Sequence, residues 1–176
     1  MRKLIFAAAA LAIANGSARA QDARPIELGI DAGITIGIGD DRGTDIGIPV
    51  QTFRAGFPLS ARTSLEPKIG ISIHTDGNTT SDYRAELGLL YHLGTSRYPG
   101  AYQRAGMYVR PFIGFSGVNR EDAPDSNSGL IGIGAGYKFP IVSRLSSRFE
   151  ANIAQHFGDD DFTEIGLLAG LSFFTR

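Results

Sequence analysis

The stretch IELGIDAGITIGIG, residues 26–39, places Ile, Leu or Ala at every even position from Ile26 to Ile38 and Glu, Asp, Thr or Gly at every odd one. Successive side chains of a strand point to opposite faces, so this segment forms a strand with one wholly aliphatic face and one face of glycines and isolated charges. What the aliphatic face touches decides the fold.

The same rhythm returns along the chain. Ile46, Ile48 and Val50 share one parity, and Phe53, Ala55, Phe57 and Leu59 the other, so a β-bulge is expected near Pro49–Thr52, where one extra residue reverses the phase. Later runs carry Leu65, Ile69, Ile71 and Ile73; Tyr83, Ala85, Leu87, Leu89, Tyr91 and Leu93; and Met107, Val109, Ile113 and Phe115. They continue with Ile131, Ile133, Ala135, Tyr137 and Phe139; Phe149, Ala151, Ile153 and Phe157; and Ile165, Leu167, Ala169, Leu171 and Phe173. Eight strands of about 10–13 residues are expected from this period-two pattern. Pro111 falls inside the fifth, which calls for a bulge there or a strand that begins later.

The connections are of two kinds. The first, third, fifth and seventh (39–45, 75–82, 119–128 and 158–161) hold 11 of the 18 carboxylates, whereas the second, fourth and sixth contain Arg62, Arg97, Arg104 and Arg144 and no acid. Odd and even connections therefore lie at opposite ends of an up-and-down antiparallel meander. An eight-stranded meander closes into a barrel because closure removes the unpaired edges.

Two kinds of barrel share the alternation. A soluble one turns its aliphatic face inward around a ligand; a membrane-spanning one turns it outward to lipid. The other face here carries Gly29, Gly33, Gly37, Gly70, Gly88, Gly114, Gly132, Gly134, Gly136, Gly166 and Gly170, which suits a narrow interior and would only weaken a water-facing surface. It also carries every strand charge: Glu27, Asp31, Glu66, Glu86, Glu150 and Glu164 against Arg54, Lys68, Arg84, Arg110, Lys138 and Arg148. Six acids and six bases balance, as an enclosed network requires. A strand of 13 residues, tilted about 40°, rises roughly 33 Å and crosses an apolar band of about 25 Å. The pattern predicts an all-β, eight-stranded antiparallel up-and-down transmembrane β-barrel. Tyr108 and Phe112 then point inward and need facing glycines to make room, while Tyr83, Tyr91, Tyr137, Phe139, Phe149, Phe157 and Phe173 supply interfacial girdles.

The N-terminus reads differently. Met1-Arg2-Lys3, the uncharged apolar run Leu4–Ala14 and Ala18-Arg19-Ala20 form the basic, hydrophobic and small-residue parts of a secretory signal peptide, residues 1–20, with cleavage expected after Ala20. Its apolar run is well short of the roughly 20 residues a spanning helix needs. Cleavage removes three of the 17 basic residues, leaving 14 against 18 acidic ones in the mature barrel, residues 21–176. That acidic balance excludes nucleic acid as a natural partner. The chain has no cysteine, which excludes a disulfide-stapled fold and a lipid-anchored lipoprotein.

With its final strand EIGLLAGLSFF, residues 164–174, the chain resembles the small outer-membrane β-barrels of the OmpA/OmpX type, although Thr175 and Arg176 follow the terminal aromatics. The resemblance implies a Gram-negative cell envelope, both termini in the periplasm and acidic loops outside the cell. It further implies insertion by the barrel assembly machinery and a monomer surrounded by outer-membrane lipid and lipopolysaccharide. It carries no catalytic motif and no cofactor.

A non-enzymatic structural or surface-interaction role follows, with side chains filling the lumen. Two alternatives remain. A lipid A deacylase among such barrels pairs a His with a Ser two residues on and a nearby Glu; here His156 is followed by Gly158 at that spacing, Glu164 is close, and Ser72-x-His74 has the reverse order. A narrow conduit for small solutes finds support only in the glycines. Asp159-Asp160-Asp161, Asp40-Asp41, and Asp122 with Asp125 lack ordered calcium-ligand spacing, so solvated acidic loops are expected and no metal site is assigned.

Overall fold

The structure, a computed structural model, describes residues 25–39, 43–76, 78–94, 105–120, 126–159 and 161–175. The signal segment, the carboxylates at Asp40, Asp41, Asp122, Asp125 and Asp160, and the Arg97 and Arg104 connection lie outside these residues. Eight strands run in chain order: β1 (Glu27–Gly39), β2 (Gly43–Pro58), β3 (Thr63–Asp76), β4 (Asn78–His92), β5 (Gly106–Arg120), β6 (Ser126–Val142), β7 (Leu145–Gly158) and β8 (Phe162–Phe174). Each pairs antiparallel with the next, and β1 closes the barrel on β8 from Glu27↔Phe174 to Ile38↔Thr163.

The strands reach 13–17 residues, longer than the apolar alternation alone indicates. The ladder explains the difference. Backbone pairing is indifferent to side-chain polarity, so it continues past the apolar band into Ser, Thr and Asn residues; β3 and β4, for example, remain paired as far as Asp76↔Asn78. Much of what composition marks as acidic connection is therefore strand.

Outside and inside are inverted relative to a soluble protein. Phe53 and Ile71 are each 65% exposed and Leu167 62%, while Arg110 and Arg148 are wholly buried and Lys138 is 1% exposed. A barrel in water would not leave such a continuous aliphatic surface uncovered while sealing its ions inside; hydrocarbon around the wall accounts for both. The outward aromatics gather at the two ends. Tyr137, Phe139 and Phe149 pack together at the turn end, with ring centroids 6.0 and 5.6 Å apart. Tyr83 and Phe115 meet edge to face nearer the acidic end.

Prolines mark the irregularities of the wall. In β2 the register shifts where Ile48 and Pro49 together oppose Ile34, so Val50, paired with Gly33, already belongs to the second phase. This is the expected bulge, placed at the start of the expected window. At Pro111 the expectation is corrected: β5 begins at Gly106 and keeps its register across the proline. The β4–β5 ladder instead lapses between Gly88↔Phe112 and Tyr91↔Val109, while Pro111 stays paired to Ile133 on its other side. A proline lacks a donor toward one neighbour only, so the wall tolerates a gap without a bulge. Pro67, unremarked in the sequence pattern, does the same: the β2–β3 ladder lapses between Arg54↔Lys68 and Phe57↔Leu65 while Pro67↔Leu87 holds.

Leu167 lies at mid-strand, between Ile34 and Ala151. Replacing Leu167 by Arg in vesicle-inserted barrel should cost about 2–4 kcal/mol of unfolding free energy in a denaturant titration. A near-neutral result would mean that this face meets water.

Candidate functional site

The strand charges converge on the barrel axis as one continuous network. At the turn end, Lys138 Nζ lies 2.6 Å from Glu27, whose other carboxylate oxygen accepts from Arg54 Nη1 at 2.5 Å and from the Ser172 hydroxyl at 2.8 Å. Arg54 Nε donates to Asp31 at 2.9 Å. Asp31 also faces Lys68 at 3.4 Å and Arg148 at 3.3 Å. Arg148 reaches Glu66 at 2.8 Å and Glu150 at 3.0 Å, and Glu150 accepts from Arg110 at 2.8 Å and from the Tyr108 hydroxyl at 2.8 Å. Arg110 continues to Glu86 at 2.9 Å, Glu86 to Arg84 at 2.6 Å, and Arg84 Nη1 to both oxygens of Glu164 at 2.7 and 2.8 Å.

All twelve strand charges singled out in the sequence are members of this network, which runs from the turn end to the acidic end. An ion removed from water carries a penalty of several kcal/mol, offset only when opposite charge and hydrogen bonds surround it. Here most members touch two or three opposite charges.

Glycines make the space. The registers set a large inward residue opposite a glycine again and again: Arg54 opposite Gly29, Asp31 opposite Gly170, Arg110 opposite Gly134, Tyr108 opposite Gly136 and Phe112 opposite Gly132. A Cβ at Gly29 would strike the Arg54 guanidinium, and one at Gly170 the Asp31 carboxylate. The Tyr108 hydroxyl and the Phe112 ring would likewise collide with a Cβ at Gly136 and Gly132. The two inward aromatics therefore have the room their position demands. Among the ions, between Arg110 and the acidic-end member Arg84, Phe112, Leu130 and Ala154 form a small apolar layer, with the Arg110 guanidinium 4.3 Å from the Phe112 ring centre.

The acidic end holds a second arrangement. His156 on β7, 2% exposed, stacks on Phe162 with ring centroids 4.0 Å apart. Its Nδ1 lies 3.3 Å from the hydroxyl of Ser116 on β5, and its Nε2 3.5 Å from Glu164 on β8. The sequence drew attention to His156 and Glu164 but not to Ser116, because the serine comes from a strand 40 residues away. The side chains of Ser72 and His74 lie outside the described residues. Of the acidic turn residues, Asp159 accepts from the Asn127 amide at 2.9 Å and Asp161 from the Gly158 amide at 3.3 Å. Gly158 has a φ of 134°, a conformation glycine alone adopts without strain. Those two carboxylates shape the turn rather than converge, and among the described residues no group of three His, Cys, Asp or Glu could hold a metal.

The profile of the outer membrane protein beta-barrel domain family matches residues 5–173. The chain belongs to this family. The barrel is similar in fold to Neisserial surface protein A at 12% identity and a TM-score of 0.63, covering 84% of this chain and 96% of that one. It is also similar to Ail, the attachment invasion locus protein of Yersinia pestis, at 9% identity and a TM-score of 0.55, covering 86% and 98%. The outer membrane protein AlkL shares 12% identity with a TM-score of 0.52 over 86% and 90%. No curated protein matches the sequence. Family membership places the barrel in the outer membrane, and at these identities the neighbours speak for the fold alone.

Removing one partner of a buried pair strands the other charge. Arg148→Met is therefore expected to lower the unfolding free energy by about 3–5 kcal/mol. Gly170→Val, which drives a side chain into Asp31, should cost about 1–3 kcal/mol. Both are read from denaturant midpoints of refolded barrel; an unchanged midpoint for Arg148→Met would mean that water reaches the lumen ions.

Proposed function

We propose that the protein is a monomeric envelope barrel that acts at the cell surface, through its acidic end, in a structural or interactive role. In this reading residues 1–20 direct export and are removed after Ala20. The barrel assembly machinery inserts the chain, and outer-membrane lipid and lipopolysaccharide surround it. Both termini face the periplasm and the odd connections face outward.

The supporting observation is the lumen itself. An eight-stranded barrel has an interior just wide enough for side chains, and here the network from Lys138 to Glu164 occupies it with charges that would have to part before a solute could pass. A narrow conduit is therefore disfavoured, and the acidic end is the surface left to meet a partner. The carboxylates of connections 121–125 and 158–161 give that surface its negative charge.

Two measurements test the reading. Purified barrel in a planar bilayer should give a flat current trace; stepwise openings would reinstate the conduit. An epitope tag placed within 121–125 should be stained on intact cells, and one within 95–104 only after permeabilisation. The opposite pattern would reverse the orientation and remove the acidic end from the cell surface.

A further inference from the structure

The meeting of Ser116, His156 and Glu164 goes beyond a surface role, and it does not rest on that reading. A hydroxyl lies 3.3 Å from one imidazole nitrogen and a carboxylate 3.5 Å from the other. For Nδ1 to accept from the serine, the ring proton must sit on Nε2, and the carboxylate facing Nε2 favours that tautomer. The ring plane is held by the Phe162 stack at an interplanar angle of 17°. Arg84 Nη1 immobilises the carboxylate by donating to both its oxygens. Nucleophile, base and orienting group are thus in sequence, with each in turn fixed by the next.

We propose that Ser116 is a nucleophile activated by His156, with Glu164 as the positioning residue, in a hydrolytic site for small carboxylic esters at the acidic end of the lumen. Ser116 is half-buried, and the registers place the Phe112, Leu130 and Ala154 layer deeper on the same strands, toward the turn end. With that apolar layer closing the lumen below the serine, a short acyl group fits the site better than a long chain. Arg84 is the cross-strand partner of Ser116 and brings a positive charge to the side where a tetrahedral oxyanion would form.

The chemistry balances without a cofactor. Ser116 Oγ attacks the ester carbonyl carbon as His156 Nδ1 takes the hydroxyl proton. The tetrahedral adduct then collapses, the carbon–oxygen bond to the alcohol breaks, and the imidazolium gives its proton to the departing alkoxide. A water next loses a proton to Nδ1 and attacks the acyl-serine. The serine oxygen leaves and recovers the proton, so the sum is ester plus water to acid plus alcohol.

Full-length mature barrel, refolded in detergent and verified by its heat-modifiable gel mobility, is the material for the test. Diisopropyl fluorophosphate should label Ser116, located by peptide mass spectrometry, with loss of the label after heat unfolding. Turnover of p-nitrophenyl acetate and butyrate should fall about 100-fold or more in Ser116→Ala and in His156→Asn. In Glu164→Gln, kcat should fall with little change in KM. The labelling uses the unsubstituted protein, so it stands whether or not a variant folds. An unlabelled Ser116, or a folded Ser116→Ala barrel as active as its parent, overturns the proposal and leaves the three groups as polar packing.

Discussion

Ions buried away from solvent must be neutralised by one another, and this requirement organises the barrel. Arg148 is the centre of it: wholly buried, it touches Glu66 on β3 and Asp31 on β1 as well as Glu150 on its own strand. The contacts to Glu66 on β3 and Asp31 on β1 fix the height of β7 against two other strands. Because a slip of one residue would turn every ion outward into hydrocarbon and every aliphatic side chain inward, the network and the wall specify the same register. The glycines follow from this. An arginine lying over the neighbouring strand needs a residue without a Cβ beneath it, which is why Gly29 lies under Arg54 and Gly88 under Arg110.

The wall answers to a different rule. In hydrocarbon each backbone amide must find a partner within the sheet, yet five prolines lie within strands, Pro58 among them as the last residue of β2. Pro49 sits in the bulge of β2, and Pro140 at the register shift before the β6–β7 turn. Pro67 and Pro111 each interrupt one ladder and leave the other intact. Each of these two lapses spans two residue pairs, and closure from β1 to β8 is preserved while the wall gains places where it can bend.

Much of the function-bearing geometry was readable in outline. His156 and Glu164 stood out because they are near in sequence and chemically apt. Two residues along the same strand from His156 stands Gly158, not a serine. The fold answers from across the lumen, since β6 alone separates β5 from β7 and inward positions at one height converge on the axis. A hydroxyl on the polar parity of β5 near the acidic end was the available signal. Several serines share that description in other strands, and composition could not choose among them.

By itself the sequence determined the period-two wall, the count of eight strands, which face carries the ions, their neutral balance, the odd and even ends, and a phase reversal near Pro49–Thr52. These are local properties, since side-chain alternation and turn chemistry act over a few residues. Only the tertiary structure decided that Arg148 meets Glu66, that Lys138 meets Glu27, that Pro111 opens a gap without a bulge, and that Ser116 stands beside His156. Arg148 and Glu66 are 82 residues apart, and Lys138 and Glu27 are 111. Pairings of that kind depend on how far each strand is staggered when the sheet closes on itself, a property of the whole ring that no single strand contains.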